Sequence, residues 1–385
     1  MSRPEHEVAD IIRRFGESFI INHRPNSYQL RVLKALSMCR TAALGGHKYR
    51  CDNCGSEHIS YNSCRNRHCP KCQSAKQAFW IEDRIKSAYP VRHYHIVFTV
   101  PEVLNEICTI DSKWFYNQLF QAVWDVLCSF GYSHHAVESG AICILHTWGQ
   151  NLSLHPHIHC IVPALGYSVR GKMKHIGKTG KYLYPVTRLS LKFRGRFMDA
   201  VKKYLTRKEL LPDYSDHIKA AWSKPWVVFC EPSMGKPEHV VVYLGQYTHR
   251  VAITNHRIVN ITDHQVVFSL KDHRDQGRQK ITCLSGEEFL RRFCMHILPR
   301  GFVKIRHYGI YSLRFLNTIM KKDGKMVVRQ VETTVERINR LIGVDIICCP
   351  SCRKGRLIPA SVIPRSRSPT LPELRSFIPQ NTKPA

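Results

Sequence analysis

Apolar positions three and four apart open the chain. Val8, Ile11, Ile12 and Phe15 would share one face of a helix, and a second amphipathic run from Gln29 to Arg40 stops at Gly45-Gly46. Further helices are predicted over Gln77–Ala88, over Asp111–Phe130 with Trp114, Phe115, Leu119, Phe120, Val123 and Leu127 on one broad stripe, and over the basic stretch Leu191–Leu210. Strand-like alternation marks His93–Pro101, Trp226–Phe229 and a hairpin within Ile253–Phe268, while Ser285-Gly-Glu-Glu288 has the capping pattern of a helix start. From about Pro359 onward Pro, Ser and Arg dominate, and a disordered tail is expected.

The most informative stretch pairs two apolar runs, Ala141–Trp148 and Leu154–Val162, across Gly149-Gln150-Asn151-Leu152-Ser153. That pattern predicts a β-hairpin. Side chains alternate across a strand, so His157 and His159 face one way and Ile158 the other. His155 has the same parity but precedes Pro156, which lacks an N–H and marks where regular pairing begins. If the hairpin closes about Leu152, His146 lies across from the pair, and three imidazoles share one sheet face. About eighty residues later Val240–Ala252 carries Tyr243 and Tyr247 at i and i+4, with Arg250 three residues on. These share one face of a helix that starts near Pro237-Glu238.

Charge narrows the possible partners. The chain of 385 residues has 58 Lys plus Arg against 29 Asp plus Glu, a formal net charge of +29. Such self-repulsion is costly unless a polyanion is the partner. Basic residues interleave with aromatics, as phosphate contact and base stacking require, so nucleic acid is favoured over an anionic membrane. Arg65 and Arg67 form one basic patch. Pro299–Arg314, with Arg300, Lys304 and Arg306 among Phe302, Tyr308 and Tyr311, is the densest basic-aromatic block. No apolar run approaches the roughly 20 residues of a spanning helix and no signal sequence opens the chain, which points to the cytoplasm.

Sixteen cysteines in such a chain read as buried thiols or metal ligands rather than a disulfide scaffold, with Cys143, Cys160 and Cys230 as single buried thiols. Cys51-x-x-Cys54 and Cys69-x-x-Cys72 match a structural tetrahedral zinc site, with Cys64 and His68 as alternative ligands. Cys349-x-x-Cys352 is a half-site, to be completed elsewhere in the chain or by another subunit, so an oligomer is compatible with the sequence.

In combination, SCRNRHCPKCQ, HTWGQNLSLHPHIHC, YLGQYTHRVAI and LPRGFVKIRHYG, in that order over roughly residues 30 to 355, resemble the rolling-circle transposases of the ninety-one family of bacterial insertion sequences. These belong to the wider class of HUH endonucleases. The resemblance implies an α+β fold in which an antiparallel sheet flanked by helices carries the histidines, behind an N-terminal helical and zinc-ribbon region. The expected divisions are 1–46 (helical), 47–89 (zinc-binding), 90–345 (nuclease, with a basic C-terminal part) and 346–385 (cysteine knuckle and tail). It implies His157 and His159 as ligands of Mg²⁺ or Mn²⁺, Tyr243 and Tyr247 as nucleophiles, and structural Zn²⁺. His146 is the third ligand favoured by geometry, with Gln150 and Gln246 as rivals, and Arg250 would stabilise a tyrosinate or phosphate. The implied partner is single-stranded DNA at transposon ends and target. Two rival readings are a plasmid replication initiator or relaxase, and a non-catalytic zinc-dependent DNA-binding regulator.

Overall fold

The computed structural model describes residues 4–177, 183–231, 251–272, 275, 277–323 and 332–366. Its centre is a five-stranded sheet in which every neighbouring pair is antiparallel. The strands run in spatial order Ile305–Gly309, Gly140–Trp148, Leu154–Pro163, His93–Thr99 and Val228–Glu231. The second and third strands in that order are the predicted hairpin. Alternation divides the sheet into two faces. Ile96, Phe98, Cys143, Leu145, Ile158 and Cys160 enter one core with Phe115, Leu119 and Val123 of the helix Ser112–His135 and with Phe193 and Phe197 of the helix Val186–Arg207. The histidines occupy the other face.

The predicted helix at Asp111 begins where its capping chemistry says it should, with the Asp111 carboxylate accepting from the Trp114 N–H at 2.9 Å. The basic-aromatic block behaves differently from expectation: Ile305–Gly309 is the edge strand of the central sheet, and Phe302 is buried beside Tyr116 and Phe120. Its positive charges hid a strand whose alternate residues pack inward.

A second core joins the N-terminal helices to residues 252–297. The helices Val8–His23 and Ser27–Ser37 pack on the helix Gly286–Met295 and on a three-stranded sheet of Ile258–Ile261, Gln265–Asp272 and Arg278–Ser285. Gly286 permits this approach, because a Cβ there would lie 2.1 Å from the Phe15 ring. The expected disordered tail is also corrected in part, since Leu357–Ile363 is a strand. It pairs antiparallel with Gly46–Cys51, which in turn pairs with Glu57–Tyr61. The segment Leu357-Ile-Pro-Ala-Ser-Val-Ile363 has enough β-branched and apolar residues to pair once an edge is offered, whatever the composition that follows it. Among the described residues no helix is long and apolar enough to cross a membrane.

Candidate functional site

The hairpin register sets His146 directly opposite His157 and Ile144 opposite His159. The imidazole nitrogens of His146, His157 and His159 come within 4.8 Å of one another, with ring centroids 4.5 to 5.3 Å apart. They line a cleft of about 1050 Å³ whose walls include Glu102, Gln150, Ser153, His155 and Lys224. Nδ1 of His157 donates to the His155 carbonyl at 2.7 Å. A carbonyl can only accept, so Nδ1 holds the proton and Nε2 presents a lone pair. Burial pulls the His157 pKa down to about 4, so the ring is neutral, the form that binds metal, at physiological pH. His159 is oriented by His95, a residue not predicted at this site: His95 Nε2 and His159 Nδ1 are 2.9 Å apart, with the rings nearly parallel. The signal was present, because His95 follows His93 at period two in a predicted strand, and Val97 pairs with His159.

The hairpin tip is held from the second core. Leu152 has a left-handed backbone, φ 63°, which costs a branched residue about 1–2 kcal/mol. Complete burial of its side chain offsets that cost. His296 Nε2 donates to the Leu152 carbonyl at 3.0 Å while its Nδ1 meets the Thr147 hydroxyl at 3.2 Å, at the register shift beside His146. Arg257 and Arg292 bond the carbonyls of Gln150 and Asn151. Three side chains from the C-terminal half thus fix the turn that aligns the histidine strands. Gln150 sits in the cleft wall beyond the three imidazoles. Tyr243, Gln246, Tyr247 and Arg250 lie outside the described residues.

The zinc ligands divide differently from the sequence expectation. Cys51, Cys54, Cys69 and Cys72 do not meet at one point. Cys69 and Cys72 join Cys39 and Cys64, whereas Cys51 and Cys54 join Cys349 and Cys352. Spacing reveals pairs but not which pairs the fold brings together, and Cys39 lies alone just past a helix end with no spacing signal. Four Sγ–Sγ separations, Cys39–Cys72, Cys64–Cys72, Cys51–Cys352 and Cys54–Cys349, are 3.6, 3.7, 3.7 and 3.8 Å. A tetrahedron with metal–sulfur arms of ~2.3 Å has edges of about 3.8 Å, whereas a disulfide would need about 2.05 Å. Both groups therefore fit a structural zinc. The Ser56 hydroxyl, and then the Cys352 backbone N–H, lower the Cys349 pKa to about 5, and the backbone N–H groups of Gly355 and Lys354 lower Cys352 to about 7, favouring the thiolate ligand form. His68, proposed as an alternative ligand, is in neither group. Burial, and next the charges of Arg67 and Lys304, lower its pKa to about 3 and keep the ring neutral.

The predicted DNA-contacting residues differ in their settings. Arg65 and Arg300 are exposed. Arg67 donates to the carbonyls of Pro299, at 3.0 Å, and Phe302. Lys304 lies 5.1 Å over the Trp148 ring. Arg306 turns inward, 4.1 Å over Phe120 and bonded to Asn117, so its charge serves packing.

Two protein-family models match the chain. One, described as "Putative transposase", covers residues 140–318 and so contains the histidine hairpin; the other, "Transposase zinc-binding domain", covers residues 11–100. The chain is 40% identical over 382 residues to the "Putative transposase y4qJ" of Sinorhizobium fredii, spanning 93% of this chain and 96% of that protein. It is 27% identical over 311 residues to the "Transposase for insertion sequence element IS801" of Pseudomonas savastanoi pv. phaseolicola, spanning 76% of this chain and 73% of the relative. No solved structure matches.

Proposed function

The chain belongs to the IS91 family of transposases, enzymes that act on DNA, and from that premise we propose that it nicks and rejoins single-stranded DNA by tyrosine attack, driving rolling-circle transposition. The observation that carries this reading is the convergence of His146, His157 and His159 on the floor of one open cleft. A divalent cation held there would neutralise charge gathering on the scissile phosphate. Three imidazoles suit Mn²⁺ better than Mg²⁺, since nitrogen donors favour the transition metal, and a cation of either kind leaves coordination positions for water and phosphate.

The chain's own residues do the rest. His95 and the His155 carbonyl aim the imidazoles, and the His296, Arg257 and Arg292 clamp keeps the two strands in register. Tyr243 or Tyr247 supplies the nucleophile: its oxygen forms an ester bond to phosphorus as the phosphorus–3′-oxygen bond breaks. The phenolic proton is released and the departing 3′-oxygen gains one. The product is a 5′-phosphotyrosine and a free 3′-hydroxyl, which conserves the phosphodiester bond energy for rejoining. A second tyrosine four residues along the chain lets one strand be held while another is cut. Arg250 would steady the developing charge. The two four-thiol groups hold structural zinc in this reading, and Arg65, Arg67, Arg300 and Lys304 supply positive charge along the path of the strand.

The test is covalent trapping. A labelled single-stranded oligonucleotide from the element's end, incubated with the full chain and Mn²⁺, should yield a protein–DNA adduct stable in denaturant. The Tyr243→Phe plus Tyr247→Phe double variant should bind the strand without forming it. A wild-type chain that binds but never attaches is a regulator, and the nuclease reading fails.

A further inference from the structure

Trp148 separates the histidine cleft from a second, smaller cavity of about 290 Å³ and lines both. The Trp148 ring stacks on His146, with centroids 4.9 Å apart and an interplanar angle of 20°, and Lys304 Nζ stands 5.1 Å above it. The apolar floor of this cavity includes Phe293 and Phe302, and its basic side carries Arg67, Lys76 and Lys304. Among the described residues no carboxylate lines it. Arg67 is held by the carbonyls of Pro299 and Phe302, so the direction of its guanidinium is set before any ligand arrives. His68 is 9% exposed, lines the same space, and its Nε2 has no hydrogen-bond partner among the described residues. A buried polar atom of that kind is costly unless something fills the need.

We propose that this cavity is a nucleotide subsite, which takes one unstacked base of the DNA strand against Trp148 and the apolar floor, with the neighbouring phosphate on Arg67 and Lys304 and the base edge facing His68. Three features select this occupant. An aromatic wall accepts any base by stacking, whereas a bare anion would gain nothing from the apolar floor. A volume of about 290 Å³ suits one ring system rather than a duplex. Trp148 is shared with the histidine cleft, so a base seated here belongs to a nucleotide beside the one being cut. Burial, and next the Arg67 charge, lowers the Lys304 pKa to about 7, and an arriving phosphate would restore its full charge. The subsite rests on the DNA reading above and deepens it by stating where a neighbouring base goes.

Val303 lines the cavity and is 59% exposed, so a larger side chain there would narrow it from the solvent side without replacing a core residue. The experiment compares binding of the full chain to a short thymidine oligonucleotide with binding to an abasic strand of the same length, by fluorescence anisotropy. Val303→Trp should weaken binding of the thymidine strand by roughly tenfold and leave the abasic strand unchanged, as expected when one base loses its stacking site. Lys304→Met should weaken both strands and lower the slope of log affinity against log salt by about one. A strand carrying 5-iodouracil should crosslink to peptides containing Trp148 or Phe302. Equal thymidine binding by Val303→Trp and wild type, with crosslinks mapping elsewhere, overturns the subsite while the covalent adduct leaves the nuclease reading standing. Failure of the wild type to bind either strand removes both.

Discussion

Replacing Cys349 and Cys352 together by serine tests the division of the thiols more sharply than any change in the N-terminal cysteines. These two residues close a site with Cys51 and Cys54 across the chain, with a separation of 301 positions between Cys51 and Cys352. A cross-link over a loop of that length restricts the unfolded chain by about 5–6 kcal/mol in the chain-entropy relation, an upper figure because a metal clip also opens and because real unfolded chains retain structure. The wild type should carry two zinc ions per chain by metal analysis. The double variant should retain one, lose several kcal/mol in denaturant melts, and expose Gly46–Cys51 and Leu357–Ile363 to amide exchange together, since those strands pair. Cys51→Ser plus Cys54→Ser should give the same zinc count and the same exchange pattern, because both variants remove half of one site. If Cys349→Ser plus Cys352→Ser keeps two zinc ions, or if the two double variants differ in stoichiometry, the partition of the thiols is refuted.

Three further outcomes are expected. His157→Ala or His159→Ala should reduce the rate of covalent strand attachment by at least a hundredfold while changing strand affinity only a few-fold; loss of binding to the same degree would show a role in folding instead. Gly286→Ala should cost about 1–3 kcal/mol by driving a methyl into the Phe15 ring, and Phe15→Leu in the same chain should recover part of it in thermal melts. Lys86, then Arg337 and Arg340, hold the Glu82 carboxylate down at about pKa 2 against roughly 4.3 when unfolded. A depressed carboxylate stabilises the fold above its unfolded pKa and ceases to as pH falls from about 4.3 toward 2. Glu82→Gln should therefore lose about 1–2 kcal/mol at neutral pH, after allowing for solvent screening, and show a flatter decline than wild type below pH 4.3.

The histidine hairpin was legible because its information is local: period-two alternation, a turn-forming insert and simple counting from Leu152 bring His146 opposite His157. The flanking helices were legible for the same reason. What the sequence concealed is long-range. Nothing local says that Cys54 meets Cys349 rather than Cys69, or that Cys39, just past an apolar helix, completes a four-thiol group. The edge strand Ile305–Gly309 was masked by Arg306 and His307, whose charges suggested a nucleic-acid surface although Arg306 packs against Phe120. The role of His296 was equally hidden, since a lone histidine before Ile297 and Leu298 carries no sign that it will tie together a bulge and a turn nearly 150 residues away.

The pairing of Leu357–Ile363 with Gly46–Cys51 sets an order of events during synthesis. At translation rates of roughly 5–20 residues per second, the first strand waits about 15–60 seconds for the partner made some 300 residues later. Through that interval the thiols of Cys51 and Cys54 have only half their final company. A copy of the gene interrupted near its 3′ end would therefore yield a polypeptide whose early strand Gly46–Cys51 lacks one of its two neighbours and whose Cys51–Cys54 site stays half-built, although the residues that need completing were made first.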